Sequence, residues 1–83
     1  MSPRSFKPDS SLVSLGAVIK ALGAEAGLTQ EGLAERAGVD ATYVGHIERG
    51  ERNLTWAAFS RLSKGLGVPR WVLVKRVDES GWG

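Results

Sequence analysis

The residues with the widest chemical reach lie between Gln30 and Asn53. Along ATYVGHIER (41–49), Val44 and Ile47 share one side of a helical wheel. Thr42, Gly45, His46 and Arg49 then point outward, with Tyr43 at the flank. The outward side offers a hydroxyl, an imidazole and a guanidinium, and no bulky apolar plug. It suits hydrogen bonding to a ligand edge that displays donors and acceptors, and attraction to an anion. Covalent chemistry has no comparable set. There are no cysteines, which excludes disulfides, thiolate metal sites and cysteine nucleophiles together. His46 is the single histidine and has no strong ligand at i+3 or i+4, so no metal site is expected. Paired carboxylates, a nucleophile–base set and a phosphate loop are all lacking, and the Ser10-Ser11 pair shares no evident geometry with His46. Neither an enzyme nor a cofactor is expected.

The elements that must position these groups are short. The chain has 83 residues, enough for one small domain that buries only about 60% of its unfolded surface. Its 42% hydrophobic and 24% charged residues fit a globular protein. From Ser11, Leu12, Leu15, Ile19 and Leu22 recur on one helical face, and Gly27 supplies a stop. Three later helix starts repeat one device: Leu28-Thr29-Leu33, Val39-Asp40-Val44 and Leu54-Thr55-Phe59. Each has a polar cap candidate with an apolar residue before it and another four positions on, which is the pattern of a hydrophobic staple. The expected helices are 30–37, 41–49 and 56–66, with Trp56 on the core face of the last.

A fifth segment, Pro69 to about Val77, contains the apolar run Trp71-Val72-Leu73-Val74, which suits either a helix or a strand. Helix is favoured, because nothing else in the chain offers a strand to pair with, and Pro69 suits a first helical position. The expected fold is all-α with five helices. Residues 1–10, with two prolines and three serines, read as a flexible N-terminal arm, 11–78 as the domain and 79–83 as a frayed tail.

Residues 30–49 read as a helix-turn-helix unit. Gly38-Val39-Asp40 leaves no room for a flexible loop, and Gly38 tolerates the positive φ that a sharp turn needs. Ala34 lets the two helices approach, while Leu33, Ala37, Val39, Val44 and Ile47 lock them. GLTQEGLAERAGV, TYVGHIERGERN and the LSKGLGV that follows resemble the lambda repressor/Cro-like helix-turn-helix family, also called the XRE family, from about Leu12 to Leu73. Within it, Asp40 through Asn53-Leu54-Thr55 is most similar to the controller proteins of restriction–modification systems. The resemblance implies a compact five-helix domain whose third helix enters the major groove of double-stranded DNA.

On that reading Thr42 offers a hydroxyl to a base or a methyl to thymine, and His46 reaches guanine N7 or O6. Tyr43 packs on the sugar-phosphate wall or reaches a base edge, and Arg52, by resemblance to the controller proteins, also reads a base. Gln30, Arg49 and Asn53 are placed for phosphates, Gln30 at a helix N-terminus. Each role has a plainer alternative. His46 is an exposed histidine without consequence, Tyr43 covers the core edge, or Arg49 and Arg52 are solvated charges paired with Glu48 and Glu51.

The chain also departs from the family pattern. Ala41 stands where many relatives have a long polar or basic residue, so no polar readout role falls to it. Gly45 replaces a common serine at about 1 kcal/mol of helix cost relative to alanine. Gly23 replaces a common arginine that pairs with the glutamate matching Glu48. Glu48 is left to Lys20, Arg36 or Arg52, or to solvent.

The expected function is sequence-specific DNA binding that regulates transcription as a repressor or by recruiting polymerase. The expected partner besides DNA is a second copy of the chain, bound through Trp71, Leu73 and Val74, whose apolar surface exceeds the needs of one helix face. The alternative for the fifth segment is that it folds back on its own domain. The rival function is an antitoxin or other protein-interaction module that neutralises a partner through that C-terminal segment. The formal charge of +2 discriminates little between these, because cation placement matters more than the sum. No apolar span suits a membrane, and MSPRSFKPDSS lacks an apolar signal core, so the expected address is the cytoplasm. Arg4 and Lys7 in the arm either wrap the DNA or play no part.

Overall fold

The computed structural model describes residues 10–80. Five helices follow in order: α1 (Ser10–Glu25), α2 (Gln30–Ala37), α3 (Ala41–Glu48), α4 (Trp56–Leu66) and α5 (Arg70–Glu79). No strand occurs among the described residues. The expected N-terminal arm lies outside them except for Ser10, which opens α1. The fifth segment is a helix, with Pro69 at its N-cap rather than in its first turn. That helix runs through Glu79, the first residue of the expected tail, and residues 81–83 lie outside the described part.

Local chemistry explains most of the helix boundaries. Thr29 Oγ1 accepts the Gly32 N–H at 3.0 Å, and Thr55 Oγ1 accepts that of Ala58 at 3.0 Å, so two of the three caps work as expected. Asp40 differs: it takes the extended N-cap backbone, but its side chain makes no capping bond. The turn before it is already locked by the main chain. Gly38 sits at φ 72°, and the Val39 N–H donates to Ala34 O at 3.0 Å. Val39 packs against the core and Val44 is fully buried, so the apolar half of the staple sets the direction of α3 without the carboxylate.

The core takes Val18, Ile19 and Leu22 from α1, and Leu33, Ala34 and Ala37 from α2. Val44 and Ile47 come from α3, Phe59, Leu62 and Leu66 from α4, and Leu73 and Val77 from α5. α1 is the hub that brings α3 and α5 onto one body. It meets α3 at Gly16, where an added Cβ would sit 2.2 Å from Ile47 O, so only glycine admits that close crossing. Against α5, Arg76 donates to both Glu25 carboxylate oxygens at 3.1 and 3.3 Å, which raises the affinity of the guanidinium for its proton.

Two expected placements are corrected. Trp56 does not face the core: it is 68% exposed, because α4 begins there and Phe59, Leu62 and Leu66 take the inward positions. Leu73 does not face a partner. It is 0% exposed, since Leu73 and Val77 form the single inward stripe of α5, four residues apart.

Candidate nucleic-acid interface

α2 and α3 form a short rigid pair, and the outer side of α3 carries the expected side chains on a fixed frame. Thr42 is exposed at its first turn, and Val44 and Ile47 are buried on the opposite side. The Thr42 and Asn53 side chains make no hydrogen bond among the described residues, which leaves both for a ligand. Tyr43 is half-buried, with its body against the core edge. The Arg52 guanidinium lies over its ring, 5.4 Å from the centroid. Packing thus holds the Tyr43 ring, and the ring in turn steadies Arg52.

The other side chains are tied into two small networks. Gln30 Nε2 donates to Glu48 Oε1 at 2.7 Å. Lys20, Arg36 and Arg52, the expected partners of Glu48, are displaced by a neutral amide from the first turn of α2. The reason is proximity, because Gln30 lies beside Gly45 one turn before Glu48 on α3. Gly45 is accordingly buried rather than outward. The Gln30 and Arg49 side chains cover it, and an added Cβ would touch Arg49 Nη1 at 3.4 Å.

The second network gathers around Glu51, which sequence reading considered only as a charge partner. Its Oε1 lies 3.0 Å from His46 Nδ1 and accepts the Arg49 Nε–H at 3.0 Å. The bond from His46 first, and then that from Arg49, holds the Glu51 carboxyl below the usual carboxylate range. Gly50 makes this possible. At φ 72° it reverses the chain, and the Glu51 N–H returns to His46 O at 2.9 Å, which lays Glu51 over the end of α3. A helical wheel ends at the helix, so the only sequence signal for this contact was the glycine after Arg49. Of the two expected ion pairs, Arg49 finds Glu51, while Arg52 turns to Tyr43 instead.

The face formed by α4 and α5 is of another kind. Trp56, Trp71 and Val74 are 68%, 64% and 50% exposed and border an open groove floored by Phe59 and Val68. Arg70 lies over the Trp56 ring at 4.9 Å, and Trp56 meets Phe59 with ring centroids 5.6 Å apart. Among the described residues no group of His, Asp and Glu is arranged to hold a metal ion, and no single helix is long and apolar enough to cross a membrane.

Comparison with known proteins gives the same frame. A family described as a helix-turn-helix domain matches residues 14–73. Among solved structures, the chain is similar to the wild-type restriction–modification controller protein C.Esp1396I, with 36% identity, 88% of this chain and 96% of that one covered, and a TM-score of 0.81. It is likewise similar to the restriction–modification controller protein C.AhdI from Aeromonas hydrophila, with 36% identity, coverage of 77% and 97%, and a TM-score of 0.76. Comparison with curated protein sequences gives no match. The matched region contains the α2–α3 unit and the whole of α4, and on that basis the chain belongs to the helix-turn-helix domain family.

Proposed function

We propose that this chain is a sequence-specific double-stranded DNA-binding regulator of transcription, acting as a homodimer on a palindromic operator. DNA-binding regulation itself rests on the helix-turn-helix family and the controller-protein neighbours. The observation that carries the finer reading is the outer side of α3: polar side chains on a rigid, fully packed unit, with no apolar residue in the way. In this reading α3 lies in the major groove. Thr42, Tyr43, His46 and Arg52 address base edges, and Gln30, Arg49 and Asn53 address the sugar-phosphate wall. Arg49 reaches phosphate by exchanging part of its bond to Glu51, and Gln30 does so by exchanging Glu48.

One such helix covers a single half-site. A twofold pair spans two half-sites about 10–10.5 bp apart, and the exposed Trp56, Trp71 and Val74 provide the apolar surface for that pairing. The regulatory input is then the concentration of the chain itself, through coupled dimerisation and DNA binding.

The test is a bind-and-sequence selection on random duplexes at about 0.15 M salt, near physiological screening. Salt is held fixed because each phosphate contact steepens the log–log salt dependence by about 0.9. A palindrome with half-sites one turn apart is the expected result. Folded protein that enriches nothing would sink this function and turn attention to a protein partner on the Trp71–Val74 surface.

A further inference from the structure

What His46 can read depends on which ring nitrogen carries its proton. A neutral imidazole has one N–H, and its other nitrogen is an acceptor. In this structure Nδ1 lies 3.0 Å from Glu51 Oε1 and 3.4 Å from Arg49 Nη2. The two neighbours demand opposite tautomers. A carboxylate only accepts, so Glu51 requires a proton on Nδ1. A guanidinium only donates, so Arg49 requires a lone pair there.

The shorter contact decides. Arg49 already donates its Nε–H to the same Glu51 oxygen, so its charge is met without the ring. With a bare Nδ1, two lone pairs would face each other at 3.0 Å. The Glu51 carboxyl, lowered by these contacts, is an ionised acceptor at neutral pH. Other charges are engaged elsewhere: Glu48 by the Gln30 amide of α2, and Arg52 on Tyr43. The backbone makes the arrangement durable, since the Gly50 turn is seated on α1, where an added Cβ would lie 2.8 Å from Val13 Cα.

We propose that Glu51 is a positioning residue that fixes neutral His46 as the Nδ1–H tautomer. Nε2 then offers an acceptor to the major groove and selects a base with an exocyclic amino group, adenine N6 or cytosine N4. This rests on the DNA-reading role of α3 proposed above, and it narrows that role. His46 is 36% exposed, and Nε2 has no hydrogen-bond partner among the described residues. Guanine N7 and O6 are acceptors, so a neutral His46 held this way does not pair with them. A second proton turns Nε2 into a donor, and the preference then passes to guanine.

Because the chain has one histidine, its ring nitrogens can be assigned without ambiguity by long-range proton–nitrogen NMR of the free protein. In the wild type with a neutral ring, Nδ1 is expected to show a pyrrole-like shift and Nε2 a pyridine-like shift. Glu51→Gln keeps a carbonyl acceptor and preserves that pattern, while Glu51→Ala moves the ring toward the Nε2–H form. The second arm is selection on random duplexes at two pH values, a higher one at which the spectra show a neutral ring and a lower one at which they show both nitrogens protonated.

Wild type and Glu51→Gln should favour adenine or cytosine at one half-site position at the higher pH. The expected preference is about three- to tenfold, the size of one neutral hydrogen bond. It should pass to guanine at the lower pH. Glu51→Ala should lose the preference at that position and keep the rest of the site. An Nε2–H ring in the neutral wild type overturns the proposal, as does an unchanged base preference in Glu51→Ala. An Nδ1–H ring with no enriched sequence in any variant overturns the DNA-reading function instead, and the base-reading role falls with it.

Discussion

The α2–α3 unit buries Leu33, Ala34, Ala37, Val44 and Ile47 and turns polar groups outward, whereas the α4–α5 face leaves Trp56, Trp71 and Val74 uncovered. Both surfaces belong to one small core, yet they are completed in different ways. On the first, several side chains already satisfy one another, Gln30 with Glu48 and Glu51 with His46 and Arg49, so a ligand that engages these must offer equivalent bonds in exchange. On the second, apolar surface lies against water and gains from any cover. The contrast separates specificity from affinity: exchange of hydrogen bonds discriminates between ligands, while burial of tryptophan supplies non-directional free energy.

The largest expected effect comes from two neighbours on α5 with opposite fates. Leu73→Ala removes a fully buried side chain and should lower unfolding free energy by about 2–5 kcal/mol. Trp71→Ala should leave the isolated domain nearly unchanged. It should raise the dissociation constant of the proposed dimer by about tenfold or more, as a central tryptophan does at an interface. Chemical denaturation and sedimentation at several concentrations read the two quantities separately. A Trp71 variant that unfolds as readily as the Leu73 variant would break the contrast, because α5 would then have no free face.

Gly16→Ala should come next. Alanine favours a helix over glycine by about 1 kcal/mol, but here its Cβ would meet Ile47 O at 2.2 Å and Glu48 O at 2.8 Å, both rigid backbone. Overpacking of this kind costs about 1–3 kcal/mol, so the net change should be destabilising. It should also push the end of α3 outward and weaken DNA binding, although Gly16 itself has no side chain to read it. Unchanged affinity with lowered stability would show that the α1–α3 crossing does not set the position of α3.

Thr42→Ala and Arg52→Ala test the polar side directly. Each should cost about 1–3 kcal/mol of discrimination at one half-site position, read by repeating the sequence selection. Loss spread evenly over all sequences would instead assign the residue to phosphate contact.

Local devices were legible in the sequence, and contacts between elements were not. The Thr29 and Thr55 caps, the Gly38 turn and the inward pair Val44–Ile47 are set within four or five residues, where propensity and periodicity apply. Trp56 and Leu73 were misplaced because exposure on α4 depends on how α2 lies against it, and exposure on α5 on how α1 does, which no periodicity records. Glu48 was matched to cations by charge, but the α2–α3 angle brings Gln30 closest. Asp40 has the right residue type for a cap and makes no capping bond, since a locked main-chain turn had already fixed the helix start.

The smallest effect sharpens the polar side of the comparison. The Glu51 carboxyl is depressed in the folded chain by His46 and Arg49, so the folded state binds its proton less readily than the unfolded state. Whatever stability this contributes is therefore fully present above the ordinary carboxylate value and is lost as pH falls through the lower folded value. Glu51 is exposed, and solvent screening keeps the effect on global unfolding small. The signal is better sought locally, in hydrogen exchange of the amides at 49–52 in wild type and Glu51→Gln. The two should differ at neutral pH, with the wild type more protected, and converge once the carboxylate is protonated. Equal protection in the two at neutral pH would mean that the Gly50 turn, and not the charge on Glu51, holds the end of α3 closed.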